Sequence, residues 1–256
     1  MNHRDKVTQP RTWRFFAWTF LWSLPFYVWG VVAPVRGLPF GLPATAIMVI
    51  IPASAALMMA RQENRLPWPG VSLAPHTQLS PGWLAFTLLC MPLATAIGAL
   101  AMLASGVTLP PASWPTPLHL SLMVSAYVIG AVFEEIGWTG YATDPLIKRW
   151  GIPGTGLIIG AIWACWHVVP WWLGQGHSLY WVSGQVVLTV LMRVMMVWIF
   201  AHGGRSLALA ILFHTSINVS YSLFPHEGSH YDPWAVLVGL AIVVLLTSIL
   251  RRLWRG

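Results

Sequence analysis

Apolar residues run through this chain in long blocks, and polar residues collect in short stretches between them. Eight apolar segments stand out, at about 13–34, 43–60, 81–105, 119–142, 154–174, 181–201, 206–224 and 234–253. Each lies near the roughly 20 residues that a helix needs to cross a bilayer. Pro- and Gly-rich clusters separate them: PVRGLPFGLP, RLPWPG, PPASWPTP, GIPGTG and HGGRS. These are turn-forming sequences. The first block is longer than the apolar core of a secretory signal, and no small-residue cleavage site follows it, so it reads as a span. The pattern predicts an all-α, polytopic integral membrane helical bundle of about eight transmembrane helices. Residues 1–12 form a polar N-terminus and 13–256 a single transmembrane domain, with no internal repeat and no second domain.

Composition agrees with the pattern. The 256 residues are 57% hydrophobic and 8% charged, against roughly 25% charged in a soluble domain. The net charge of +7 therefore speaks of topology and anionic headgroups rather than of nucleic acid. With the N-terminus inside, twelve of the fourteen Lys and Arg fall on the cytoplasmic side: Arg4, Lys6, Arg11, Arg14, Arg61, Arg65, Lys148, Arg149, Arg205, Arg251, Arg252 and Arg255. Arg36 alone falls on the other side, and Arg193 lies within the sixth segment. This asymmetry predicts a cell-membrane protein with both termini cytoplasmic. Cys90 and Cys165 sit in apolar runs and read as small buried hydrophobes. The seventeen Trp suit interfacial belts, but Trp163 and Trp166 lie deep enough to pack helices or line a cavity.

Candidate chemistry concentrates in segments four to seven. Of seven acidic residues, Asp5, Glu63, Asp144, Glu227 and Asp232 fall at segment ends or in connections, whereas Glu134 and Glu135 sit side by side within an apolar stretch. A carboxylate at membrane depth costs about 2.5–3.5 kcal/mol or more and faces a bundle interior or a wet cavity. The same four segments hold His167, Arg193, His214 and Asn218. Trp163 and His167 are four residues apart, as are His214 and Asn218, so each pair shares a helix face. Glu134 and His214 each lie about 12 Å of helix rise from the cytoplasmic end of their segments, so the groups can meet in one layer. A buried Glu beside a second carboxylate can activate water as a general base. The histidines can hold a metal through neutral imidazoles, or donate hydrogen bonds to a developing oxyanion with help from the Asn218 amide. The same groups also permit a proton relay, and His214 and Asn218 can serve simply as interhelical hydrogen-bonding glue.

The motifs EEIGWTGY, WACWH and HTSIN, in this order on separate helices, resemble those of the CAAX-protease and bacteriocin-processing (CPBP, or Abi) family of intramembrane endopeptidases. The resemblance covers about residues 120–220 and extends to the Gly-Trp-x-Gly-Tyr flank and the run SLALAILFHTSIN. It implies Glu134 as the water-activating base and Glu135 as its supporting partner. His167 would hold the water or a metal, with His214 and Asn218 stabilising the oxyanion. The family is classed among metalloproteases, so Zn2+ or another divalent ion bound by His167, His214 and Glu134 is one expectation; a metal-free, glutamate-driven mechanism is the other. The family's arginine, four residues after the second glutamate, is replaced here by Thr139. Arg193, the other intramembrane cation, is the candidate to compensate.

The function expected on these grounds is hydrolysis of peptide bonds in membrane-associated or amphipathic peptide or protein substrates, with the bilayer and no nucleic acid as surroundings. Two other readings remain. A catalytically silent relative that binds a peptide or a partner protein is suggested by Thr139. A proton-coupled transporter is suggested by the paired carboxylates, against which stands the missing repeat between chain halves. Oligomeric state is left open.

Overall fold

The computed structural model describes residues 11–32, 44–64, 80–110, 114–224 and 230–253, with the side chains of 250–253 excepted. His76, His226, Arg36 and the basic N-terminus therefore lie outside the described residues, as do the clusters PVRGLPFGLP and RLPWPG and part of PPASWPTP. The described chain is helical, with no strand. Eight α-helices coincide with the eight apolar segments: α1 (Thr12–Val32), α2 (Ile50–Gln62, entered through a 3-10 stretch Ala44–Val49), α3 (Pro81–Ala104), α4 (Pro117–Glu135), α5 (Asp144–Val169), α6 (Leu179–His202), α7 (Leu207–Leu223) and α8 (Pro233–Leu253). Local sequence starts several of them. Ser80, Thr116, Ser178 and Ser206 cap α3, α4, α6 and α7 by accepting the backbone N–H three residues on, and Pro81 and Pro117 occupy first-turn positions where no N–H is needed.

Five helical stretches are long and apolar enough to cross a membrane: Thr12–Val32, Thr45–Gln62, Pro81–Ala104, Pro117–Gly174 and Leu179–His202. Leu207–Leu223 and Pro233–Ile249 are shorter apolar helices. The fourth stretch is 58 residues long, about 87 Å if straight, nearly three times the ~30 Å hydrocarbon core. It breaks at Gly151, whose φ of 67° and ψ of 178° leave the helical region and are open to glycine at no steric cost. The segments at 119–142 and 154–174 are thus two arms of one helical run. Asp144 opens α5 and pairs with Arg205. Large apolar side chains such as Leu100, Leu118 and Ile129 point outward, as a lipid-facing surface requires. Cys165 is also exposed, unlike buried Cys90, because it lies on the outer face of α5.

Small residues set the closest helix contacts. A Cβ on Gly156 would stand 2.6 Å from the Val194 backbone, and one on Gly160 2.9 Å from that of Val190. These two glycines, four apart on α5, let α6 approach as small-xxx-small pairs do in membranes. Between the helices lies an aromatic core in which Phe15, Trp138, Tyr141 and Trp166 are almost wholly buried. Trp166 donates to Ser23 at 2.7 Å, and buried Glu63 accepts from Tyr141 and from the Arg11 backbone, each at 2.9 Å. These bonds tie α1 to α5 and to the end of α2, and the end of α2 to the segment that follows the paired glutamates.

Candidate active site

Helix α4 ends on Glu134 and Glu135, and Ile136–Thr143 continues as a π-helix. Widened turns of this kind occur mostly as short insertions at functional sites. Thr143 shows the wider winding: its hydroxyl donates to the carbonyl of Trp138, five residues back, at 2.9 Å. Gly137 allows the turn to sit against α2, since a Cβ there would be 2.7 Å from the Pro52 backbone. Nothing in the apolar pattern marks this change of helix type.

The two carboxylates occupy different environments. Glu135 is 0% exposed and is engaged on both oxygens. Arg193 of α6 grips it with Nη1 to Oε2 at 2.7 Å and Nη2 to Oε1 at 3.0 Å, a bidentate geometry that favours strong, directional pairing. His214 Nδ1 lies 2.9 Å from Oε1, and the Thr139 hydroxyl donates to Oε2. Glu134, 4% exposed, has no cation. Its Oε2 accepts the indole N–H of Trp163 at 2.9 Å and that of Trp138 at 3.3 Å, which leaves Oε1 toward the cavity that Glu134 lines.

That cavity, about 480 Å³, is also lined by Trp163, His167, His214 and Asn218. All the proposed site residues except Glu135 therefore face one space, and Glu135 sits directly behind His214. The histidine roles follow from their partners. His167 Nδ1 is 2.9 Å from the Trp163 carbonyl, which can only accept, so Nδ1 carries the proton and Nε2 is left over. His214 directs Nδ1–H at Glu135 in the same way, again leaving Nε2. Second-atom bonds of this type orient metal-ligating histidines too. Yet among the described residues no three or more His, Cys, Asp and Glu side chains are grouped so as to hold a metal ion. Among the described residues the groups as placed do not form a coordination shell.

Arg193 answers the question raised by Thr139. The cation absent from the motif position arrives from another helix, and the hydroxyl that replaces it donates to the same carboxylate. Arg193 is 0% exposed, and its Cζ stands 4.3 Å above the Trp163 ring, a cation–π contact. Trp163 thus serves both carboxylates, binding Glu134 through its N–H and supporting Glu135's cation with its face. The sequence marks it only as the aromatic residue four before a histidine. Trp138 carries no signal at all beyond its place in the flank.

Residues 116–220 match the Rce1-like family, described as type II CAAX prenyl endopeptidase Rce1-like. That stretch is similar to this CAAX-protease family. A curated relative, CAAX prenyl protease 2 of Methanococcus maripaludis, is 29% identical over 103 residues, 38% of this chain and 38% of the relative. The match spans well under half the length of that protein, and the residues matched by the family model include all three motifs. Within that stretch Glu134 and Glu135 close α4, His167 lies on α5, and His214 and Asn218 lie on α7.

Proposed function

We propose that the protein is an intramembrane endopeptidase in which Glu134 is the general base and Glu135 holds the site together. The observation that carries this reading is the asymmetry between two adjacent carboxylates. Glu135 accepts four hydrogen bonds from three residues, and its negative charge faces Arg193. Glu134 is fixed by two indoles on one oxygen, so the other oxygen remains for a water.

The chemistry follows from these positions. A water bound between Glu134 Oε1 and His167 Nε2 loses a proton to Glu134 as its oxygen attacks the peptide carbonyl carbon. The resulting oxyanion accepts from the Asn218 amide and, when the ring carries both protons, from His214 Nε2–H. Glu135 orients that ring from behind. Collapse of the tetrahedral intermediate breaks the C–N bond, and Glu134 returns its proton to the leaving amine. Preorganised donors of this kind act strongly where water is excluded. Substrates are membrane-associated or amphipathic polypeptides, and the basic-residue asymmetry supports an orientation with both termini cytoplasmic. What favours catalysis over a silent binding cavity is Arg193, which supplies the charge that Thr139 lacks.

The test is cleavage of quenched amphipathic peptides by purified protein in nanodiscs. Glu134→Gln keeps an oxygen acceptor for the two indoles and so keeps the fold, while kcat falls by about 10²–10⁴. Activity retained in Glu134→Gln would overturn the assignment. A pH gradient across proteoliposomes that this variant fails to dissipate, with no cleavage by wild type, would point to the transporter instead.

A further inference from the structure

A second cavity, about 510 Å³, lies where α4 begins and α7 ends, with Trp114, Thr116, His119, Met123, Tyr127 and Ser222 in its walls. Tyr127 also lines the cavity of Glu134, and its hydroxyl is hydrogen-bonded to that of Ser222 across the α4–α7 contact. On α7, Tyr221 faces the inner cavity and its neighbour Ser222 the outer one. Tyr127 is thus common to both linings, and its bond to Ser222 lies where the two spaces meet. Among the described residues the outer lining carries aromatic rings, an imidazole, a thioether and hydroxyls but no carboxylate, Lys or Arg, and Trp114 stands 79% exposed at its edge.

We infer that the outer cavity is an extended substrate subsite, holding an uncharged stretch of polypeptide that passes between Tyr127 and Ser222 on its way to Glu134. The inference rests on the endopeptidase reading and adds the path and chemistry of the chain beyond the scissile bond. Along α4, Tyr127 is about 10 Å and His119 about 22 Å from Glu134 in helix rise. An extended peptide covers about 3.3–3.6 Å per residue. The outer cavity therefore receives residues roughly three to seven positions from the scissile bond. An inner space of about 480 Å³ holds a small-ligand volume, so a longer substrate needs the second compartment.

Two measurements test this. The first compares pools of quenched amphipathic peptides of six and fourteen residues, on wild type and Ser222→Trp, which plugs the seam. The ratio of kcat/KM for long over short peptides should fall at least about tenfold, the scale of one lost pocket contact; an unchanged ratio overturns the proposal. The second places photoreactive benzoylphenylalanine at position 119 in the Glu134→Gln protein and irradiates it with the fourteen-residue pool. Adducts should form at peptide residues three to seven from the cleavage site. If wild type cleaves nothing, the endopeptidase reading fails, and the adducts alone then decide whether the outer cavity binds polypeptide. No adduct to peptides that wild type does cleave removes the subsite and leaves the protease.

Discussion

Removing Arg193 is the most informative perturbation of this bundle. The side chain contributes two charge-assisted hydrogen bonds to Glu135, at 2.7 and 3.0 Å, each of a type worth about 1.5–3 kcal/mol. It also contributes the contact with Trp163 at 4.3 Å, worth up to about 2 kcal/mol when desolvated. Gross loss overstates the net, because the pair also gave up hydration. Measured cases of one partner removed from a buried pair cluster near 3–5 kcal/mol, and Arg193→Met should fall there. The stranded carboxylate is the larger part of that figure, so Arg193→Met combined with Glu135→Gln should recover about half of it or more. The assay is reversible unfolding in bicelles, with each single variant and the pair completing a double-mutant cycle. A second arm relocates the cation. Arg193→Thr with Thr139→Arg should be more stable and more active than Arg193→Thr alone, because the arginine then reaches Glu135 from the motif position. If Arg193→Met changes stability by under about 0.5 kcal/mol, the range of ordinary surface substitutions, the ion pair does not hold the site and the compensation argument collapses.

The other predictions concern single contacts. Trp163→Phe removes the 2.9 Å indole bond to Glu134 and keeps a ring under Arg193; cleavage should drop about tenfold or more, the weight of one charge-assisted bond, with unfolding little changed. Gly160→Ala places a methyl 2.9 Å from the Val190 backbone and should cost about 1–3 kcal/mol by overpacking, read as a lower unfolding midpoint with a parallel loss of activity. Treatment with a chelator should leave cleavage within about twofold if the glutamate-driven route above operates without a catalytic ion; a metal-activated water, the other mechanism, would be abolished.

The helices were legible because membrane insertion imposes the simplest pattern a sequence can carry. Apolar blocks of spanning length mark where α1 to α8 lie, and Pro- and Gly-rich clusters mark the breaks between them. The meeting of Glu134, His167, His214 and Asn218 was legible from spacing, since residues four apart share a face and polar groups at depth seek one another. What spacing did not convey was division of labour. Glu134 and Glu135 are adjacent and chemically alike, yet neighbours on a helix point about 100° apart, and the packing of α6 and the cavity around α4 decides which of them meets Arg193. The partner of Glu135 was visible as an isolated intramembrane cation, but its reach depends on Gly156 and Gly160 bringing α6 close. The roles of Trp138 and Trp163 depend on where a single indole N–H points, which a sequence with seventeen Trp does not distinguish from packing or interface anchoring.

Delivery of the counter-ion from α6 has a consequence for synthesis. Glu135 and Arg193 are 58 residues apart in the chain. At about 5–20 residues per second of translation, roughly 3–12 s pass between them. Through that interval α4 carries its carboxylates without their cation, and His214 on α7 has not yet been made. On the proposed reading, the hydrolytic centre is therefore inert while the chain is still entering the bilayer. It comes into being only with docking of the late helices, so a partly inserted copy cannot cut its neighbours or itself.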